Sequence, residues 1–485
     1  RSFGNHSVTG LLLYQQSQKN YIGSSATSSN AALPYRHQGV AFRATYNYDS
    51  RYFAEFNAGY NGSENFSPGH RFGFFPSVAG GWLVSNEKFW TGRLADVISL
   101  LKIKGSYGIV GNDQIGGNRR FIYLETINSG DKWSFGETVT SYPSYRRGEW
   151  ANDNVGWEKS RKLDVGVDVS FFDKLRVQVD WFKEKRSGIF LQRSSIPEYI
   201  GITTKPYVNI GRMRNSGWDS SLQYDQKIGQ VNFSAMGNFT FARNVIEDQD
   251  QPDYIEKYMN RTGQARWQTF GYVSDGLFKD EADIATSPDQ SALGEVRPGD
   301  IKYKDLNNDG VIDSKDVKAI GYTDVPEIVY GFGVSAQWKG FDVSVFFQGN
   351  AHVSFSINSS MVRGFTEPKM AANNVFSDIY GNYWTESNTD AKYPRLTTTE
   401  ATNNNQSSDF WLVNGRYIRL KNAEFGYTFP KRLIQKMRLS QLRVFVSGTN
   451  LLTFAPFKLW DPDLQTGASN YPNTRVANIG LNIGF

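Results

Sequence analysis

Between Asp305 and Asp316 the chain reads DLNNDGVIDSKD, a stretch whose residue types could hold a metal ion. Asp305, Asn307, Asp309, Gly310, Asp313 and Asp316 stand at positions 1, 3, 5, 6, 9 and 12 of a D-x-N-x-D-G-x-I-D-x-x-D pattern. A hard divalent cation needs several oxygen ligands wrapped around a sharp turn. Four carboxylates, one amide, the Val311 carbonyl and a turn glycine supply them. Ca²⁺ is the ion expected, with Mg²⁺ the second candidate, and its role would be structural. Asp316 is shorter than the glutamate usual at position 12, which weakens the expectation of a two-oxygen grip there. The competing reading is an acidic loop held by Asx turns with no ion.

Other chemistry is sparse, and no enzymatic activity is expected. His6, His37, His70 and His352 are scattered, without a spacing such as H-E-x-x-H. The run from Gly331 through Gly333 to Ala336 mimics a dinucleotide fingerprint, but it lies inside an alternating strand pattern with no helix after it. Asp164, Asp168 and Asp180 could pair as acid and base, yet a solvated β-wall explains them better. There is no cysteine, so disulfides, thiolate metal sites and cysteine nucleophiles are excluded. Trp133, Tyr142, Tyr145, Trp150, Tyr383 and Trp384 fall in long loops, where their rings can stack on sugar rings or peptide side chains. The same rings can equally pack loops together or form an interfacial aromatic girdle.

The elements that must carry these loops read as strands. The sequence has 485 residues with 34 Phe, 26 Tyr, 12 Trp and 46 Gly against 16 Pro, and no apolar run long enough for a transmembrane helix. Apolar and polar residues instead take turns. Leu163, Val165, Val167, Val169 and Phe171 alternate with Lys162, Asp164, Gly166, Asp168 and Ser170, and Leu175, Val177, Val179 and Trp181 answer them after an Asp173-Lys174 turn. Similar alternation at 39–49 with 52–60, 216–225 with 231–241, and 329–338 with 341–348 predicts further hairpins. Strands are also expected at 8–16, 71–85 (with a bend or bulge), 100–110, 417–429, 441–454 and 474–485. Weaker expectations are a short helix from Asn86 to Trp90 and strands near 120–126 and 267–273. Trp181, Trp338 and Phe485 are expected to face lipid or form the girdle.

About fifteen strands, each long enough to span a bilayer when tilted, joined alternately by short turns and long loops, predict a transmembrane antiparallel β-barrel wall. The long loops are expected at about 113–156, 245–326 and 355–414, in one domain covering 1–485. Net charge is +5 and dispersed, so no nucleic-acid partner is expected. The chain opens RSFGNHSVTG without an apolar leader, which predicts a processed or truncated start.

Several ordered motifs carry a family resemblance. They are LKIKGSYGIVGN, NVGWEKSRKLDVGVDVSFF, YVNIGRMRNSGWDSSLQY, GDIKYKDLNNDGVID, YIRLKNAEFGYTFP and LRVFVSGTNLLTF, followed by a closing aromatic strand. Together they resemble the C-terminal part of the SusC/RagA-type TonB-dependent outer-membrane transporters of Bacteroidetes. The resemblance implies a 22-stranded barrel filled by an N-terminal plug, a SusD-like surface lipoprotein as lid, and TonB as the source of energy. It also implies oligosaccharide or peptide import, in contact with membrane lipid and lipopolysaccharide. The plug, the TonB-binding segment and the remaining strands have no counterpart here. An open sheet in lipid leaves backbone groups unpaired, so the expectation is a fragment, or a chain completed by another. The rival reading is a soluble all-β glycan-binding or glycan-degrading protein with a dockerin-like calcium loop, which would require the apolar strand faces to pack on each other.

Overall fold

The computed structural model describes all residues except 21–32, 116–119, 138, 203, 364, 366–374 and 468–469. The segment 17–30, whose many Ser and Asn residues read from the sequence as a loop, lies largely outside the described residues. Among the described residues, fourteen strands have nine residues or more. They are β1 (His6–Lys19), β2 (Tyr35–Tyr48), β3 (Tyr52–Ser63), β4 (Phe72–Leu83), β5 (Ile98–Asn112), β6 (Glu158–Phe171) and β7 (Leu175–Gln192). β8 (Tyr207–Ile228), β9 (Val231–Asp248), β10 (Ile328–Trp338), β11 (Phe341–Ala351), β12 (Tyr417–Thr428), β13 (Gln441–Phe454) and β14 (Val476–Gly484) follow. Contacts divide the chain into two units, Arg1–Trp218 with Asn244–Asp253 and Asp219–Arg243 with Tyr254–Phe485, so the boundary runs through β8 and β9.

In the first unit β1 to β7 pair antiparallel, each with the next in sequence. In the second, the paired part of β9 and strands β10 to β14 do the same. Connections alternate between tight turns, such as 172–174 and 339–340, and long segments, such as 113–157 and 352–416. Left-handed backbone at Asp49 and Ser50 closes one tight turn, and at Lys339 and Gly340 another; Asp49 and Gly340 are residue types that tolerate it.

The apolar stripes of these strands are not covered. Leu163, Val165 and Val167 remain 37%, 44% and 37% exposed, with no second layer above them among the described residues. Across β5, β6 and β7 the same face continues as Ile103, Val167 and Val179 in one row and Gly105, Val165 and Trp181 in the next. The aromatic residues Phe72 and Trp82 bracket this face on β4, about 33 Å apart along the strand. Tilt of the kind barrel strands adopt shortens that to roughly 25 Å, the height of an apolar membrane band.

The opposite face carries charge. Lys104 Nζ lies 2.8 Å from Asp180 and 3.1 Å from Asp168. Gly166 sits between Lys104 and Asp180 in the ladder, and a Cβ there would collide with both side chains. Glycine is what lets the pair close across the middle strand. The second unit repeats the device: Arg443 and Asp342 meet over Gly426, with Glu424 2.5 Å from the same guanidinium.

Some expectations need correction. There is no strand at 120–126; the segment instead contributes short strands at Ile127–Ser129, Trp133–Phe135, Thr140–Tyr142 and Tyr145–Arg147. The strand expected at 267–273 shrinks to Phe270–Gly271, with Ser274–Leu277 beyond it. The helix expected at Asn86 is a single turn at Val84–Asn86, and the α-helix follows at Arg93–Val97. β4 pairs with β3 without a register shift, and Pro76 marks instead where its pairing with β5 stops, consistent with a residue that cannot donate to a ladder. The ladders shift register where Ser99 of β5 and Lys421 of β12 are left without a cross-strand partner.

Candidate functional site

The long connections of the second unit are not loose. Residues from 254–325, 353–413 and 455–460 pack around Ile301, Tyr303, Ile312, Phe355, Trp411 and Phe457, forming a lobe with its own core. Trp411 is 1% exposed and its indole N–H donates to the Asn404 carbonyl at 2.7 Å. Polar side chains inside the lobe do the work of a missing sheet. Gln290 accepts from the Tyr303 amide at 2.7 Å and donates to Asn403 at 2.9 Å. Asn404 accepts from the Ile301 amide and donates to Asp300, both at 2.8 Å. Asp300 is fully buried and also receives Arg395 Nε at 2.8 Å and the Arg297 amide at 2.9 Å. A buried carboxylate is tolerated only when so fully satisfied.

The 305–316 loop sits on this lobe, with Ile312 anchored in the core. Asn308 and Gly310 both adopt left-handed backbone, which bends the loop tightly. Asp305 accepts from the amides of Asn308 at 2.7 Å and Gly310 at 2.8 Å. Asn307 and the Val311 amide hydrogen-bond Asp309 and hold its carboxyl below the ordinary aspartate value. Asp316 is buried, and its two oxygens accept from the amides of Leu306 at 2.7 Å and Asp313 at 2.9 Å. Lys315 Nζ lies 3.3 Å from both Asp309 and Asp313, which raise its pKa. The donor chemistry fits a hard cation, while the loop's own ammonium bridges two of the expected ligands. Among the described residues, no group of three or more His, Cys, Asp or Glu side chains is gathered at metal-holding distance.

The six rings singled out in the sequence separate into two populations. In the first unit Trp133 and Tyr142 face each other across a two-stranded ribbon, with Phe135 two residues on from Trp133. Ser134 and Ser141 share the other side, their hydroxyls 3.0 Å apart. Trp133, Phe135, Tyr142 and Tyr145 are all more than half exposed. Trp150 is half-buried, under the Arg147 guanidinium at 4.2 Å. In the second unit Tyr383 and Trp384 pack against the lobe core instead. The Trp384 indole rests on Gly299, where any side chain would strike it. Tyr383 and Trp384 are both half-buried there, whereas Trp133 is 64% exposed.

Sequence reasoning missed the residues that hold the lobe: Gln290, Asp300, Arg395, Asn403, Asn404 and Arg419. Arg419 is 1% exposed on β12 and reaches Asp461 and Asp463, each at 2.5 Å, and Thr453 at 2.9 Å. In YIRLKN, Arg419 and Lys421 both fall on the polar side of the alternation, so nothing in the sequence singled Arg419 out.

A wall of antiparallel strands, apolar and uncovered on one face and ionic on the other, defines the class of membrane β-barrel walls. No family model matches the chain. It is 29% identical over 476 residues to TonB-dependent receptor P3 of Formosa agariphila, covering 91% of this chain and 45% of that protein. TonB-dependent receptor SusC of Bacteroides thetaiotaomicron is 26% identical over 457 residues, or 91% of this chain and 43% of SusC. Among solved structures, the RagAB peptide transporter superposes with a TM-score of 0.73 at 21% identity, covering 99% of this chain and 54% of that one. The fold is therefore that of the TonB-dependent transporter wall, and the sequence is similar to receptors of that kind, SusC among them. It spans under half the length of the curated relatives it matches.

Proposed function

We propose that this chain forms the wall and surface lobe of an outer-membrane transporter importing oligosaccharides or peptides, powered by TonB and covered by a SusD-like lipoprotein. The observation that carries this reading is the uncovered apolar stripe opposite a charged face. Kinship with receptors named TonB-dependent, SusC among them, supports it, as does a fold shared with a protein titled a peptide transporter. The plug, the TonB contact and the remaining strands would come from sequence beyond this chain or from a second chain. No bond-making or bond-breaking step is assigned to it. The rival soluble protein needs Leu163, Val165 and Val167 packed beneath another layer, and they are not.

Extraction tests this directly. The protein should require detergent and migrate faster on gels before heating than after. Val165→Lys with Val167→Lys should deplete the folded membrane form, since a cation on a lipid-facing strand costs about 2–4 kcal/mol near the midplane. Gln178→Lys, on the opposite face, should not. A protein that stays in solution without detergent would refute the reading.

For the 305–316 loop we propose a structural Ca²⁺ held by Asp305, Asn307, Asp309, Asp313 and the Val311 carbonyl, with Asp316 pinning the loop's ends. Lys315 competes for the same oxygens, so Lys315→Ala should strengthen binding. Calcium should protect the loop from protease and chelation should expose it, without removing the protein from the membrane. If Asp305→Ala with Asp309→Ala keeps wild-type protease resistance in calcium and in chelator alike, the ion has no structural role.

A further inference from the structure

We propose that the outward face of β1 to β4 holds a docking site for the phosphorylated headgroup of a membrane lipid, just beyond the apolar band. This rests on the membrane reading above. The ladder registers lay the face out in rows about 7 Å apart along the strands. Near the middle of the band lies the row of Leu12, Phe42, Ala58 and Pro76, and above it come Tyr14, Val40, Tyr60 and Phe74. The next is Gln16, Gln38, Gly62 and Phe72, and the last is Gln18 and Arg36, with Glu64 continuing the ladder through its amide to the Arg36 carbonyl at 3.3 Å. Apolar, aromatic and polar rows thus follow one another as hydrocarbon, interface and headgroup do across a bilayer.

The polar rows enclose a pocket of about 490 Å³ lined by Gln16, Gln18, Arg36, Gln38, Glu64 and Arg71 among others. Gly62 makes room at its floor, because a Cβ there would meet the Phe72 ring, which stacks on Tyr60 at 5.1 Å. Arg36 is held in place rather than neutralised. Its Nε donates to Gln18 at 3.0 Å and one terminal nitrogen lies 3.6 Å from Glu64, while its side chain stays 55% exposed. Arg71 Nε donates to the Phe66 carbonyl at 3.3 Å. Two guanidinium groups against one carboxylate, with three amide side chains, suit a phosphate monoester or diester. The uncovered rows below (Leu12, Val40, Phe42 and Tyr60 are all at least 40% exposed) suit its acyl chains.

Native mass spectrometry of the detergent-solubilised protein tests this, with three probes: phosphorylated lipid A, the same lipid stripped of phosphate, and inorganic phosphate. The phosphorylated lipid should be retained, and Arg36→Ala with Arg71→Ala should lower its occupancy about tenfold or more, as loss of charge-assisted hydrogen bonds implies. Heat-modifiable migration should be unchanged in that variant. Arg36→Lys with Arg71→Lys, which keeps the charge, should restore part of the retention. Equal retention of the dephosphorylated lipid, or of the phosphorylated lipid by the double alanine variant, overturns the site. Inorganic phosphate binding as tightly as the lipid also overturns it, leaving a small-anion site. If the protein needs no detergent, the membrane reading itself has failed; if it needs detergent yet shows no phosphate preference, only this site has.

Discussion

Replacing Arg419 with methionine should release the 455–465 segment from the lobe while leaving the strands intact. The guanidinium is buried and forms charge-assisted bonds to Asp461 and Asp463, with Asn473 donating to Asp463 at 3.1 Å from the far side of the turn. Removing one partner of a buried ion pair strands the other's charge, a loss of about 3–5 kcal/mol. The segment carries Phe457 and Trp460, which meet edge to face at 4.7 Å, and Phe457 meets Phe355 at 5.1 Å. Hydrogen exchange across 455–465 should therefore rise sharply in Arg419→Met. Arg419→Lys should recover little, because an ammonium cannot bridge two carboxylates and Thr453 in the same plane. Combining Arg419→Met with Asp461→Asn and Asp463→Asn should recover more than either change alone. Unchanged exchange in Arg419→Met would show that the ion cluster does not hold the segment.

The second large effect is expected at Trp411. Truncation to alanine empties the centre of the lobe and leaves the Asn404 carbonyl without its donor. Large aromatic-to-alanine changes in a core cost about 3–5 kcal/mol, comparable to the whole margin of many domains. Limited proteolysis should then cut within 254–325 and 353–413, while heat-modifiable migration of the strands persists. Trp133→Ala is the matched control. Its ring is 64% exposed on the two-stranded ribbon, so stability should not change. If the exposed rings do stack on cargo, only substrate retention should fall. A lobe equally protease-resistant in Trp411→Ala would mean that it lacks a core of its own.

The strands were legible because alternation is a local property. One residue in two is apolar wherever one face is left uncovered, and the exposures of Leu163, Val165 and Val167 match that pattern. Tight turns were legible for the same reason, since Asp49-Ser50 and Lys339-Gly340 carry their conformation in their own residue types. The lobe was not. Thr402 to Gln406 is as polar as any solvated loop, yet Asn403 is fully buried, because its amide donates to the Ile301 carbonyl at 2.8 Å. A side-chain amide facing water and one replacing a sheet partner have the same letter. The aromatic residues divided likewise: Trp133 and Trp384 sit in equally polar surroundings in the sequence, and only the tertiary packing puts one in the open and the other against Gly299.

By itself, then, the sequence determined the element type, the strand register's two faces and the family likeness, all set by periodicity or by contiguous motifs. Tertiary structure alone decided which polar residues are buried, that Arg419 ties a distant turn to the wall, and that Lys315 rather than Asp316 lies between Asp309 and Asp313. The burial of those polar residues depends on partners a hundred residues away, as Asp300 and Asn404 are, and no local pattern encodes the hydrogen bond that joins them.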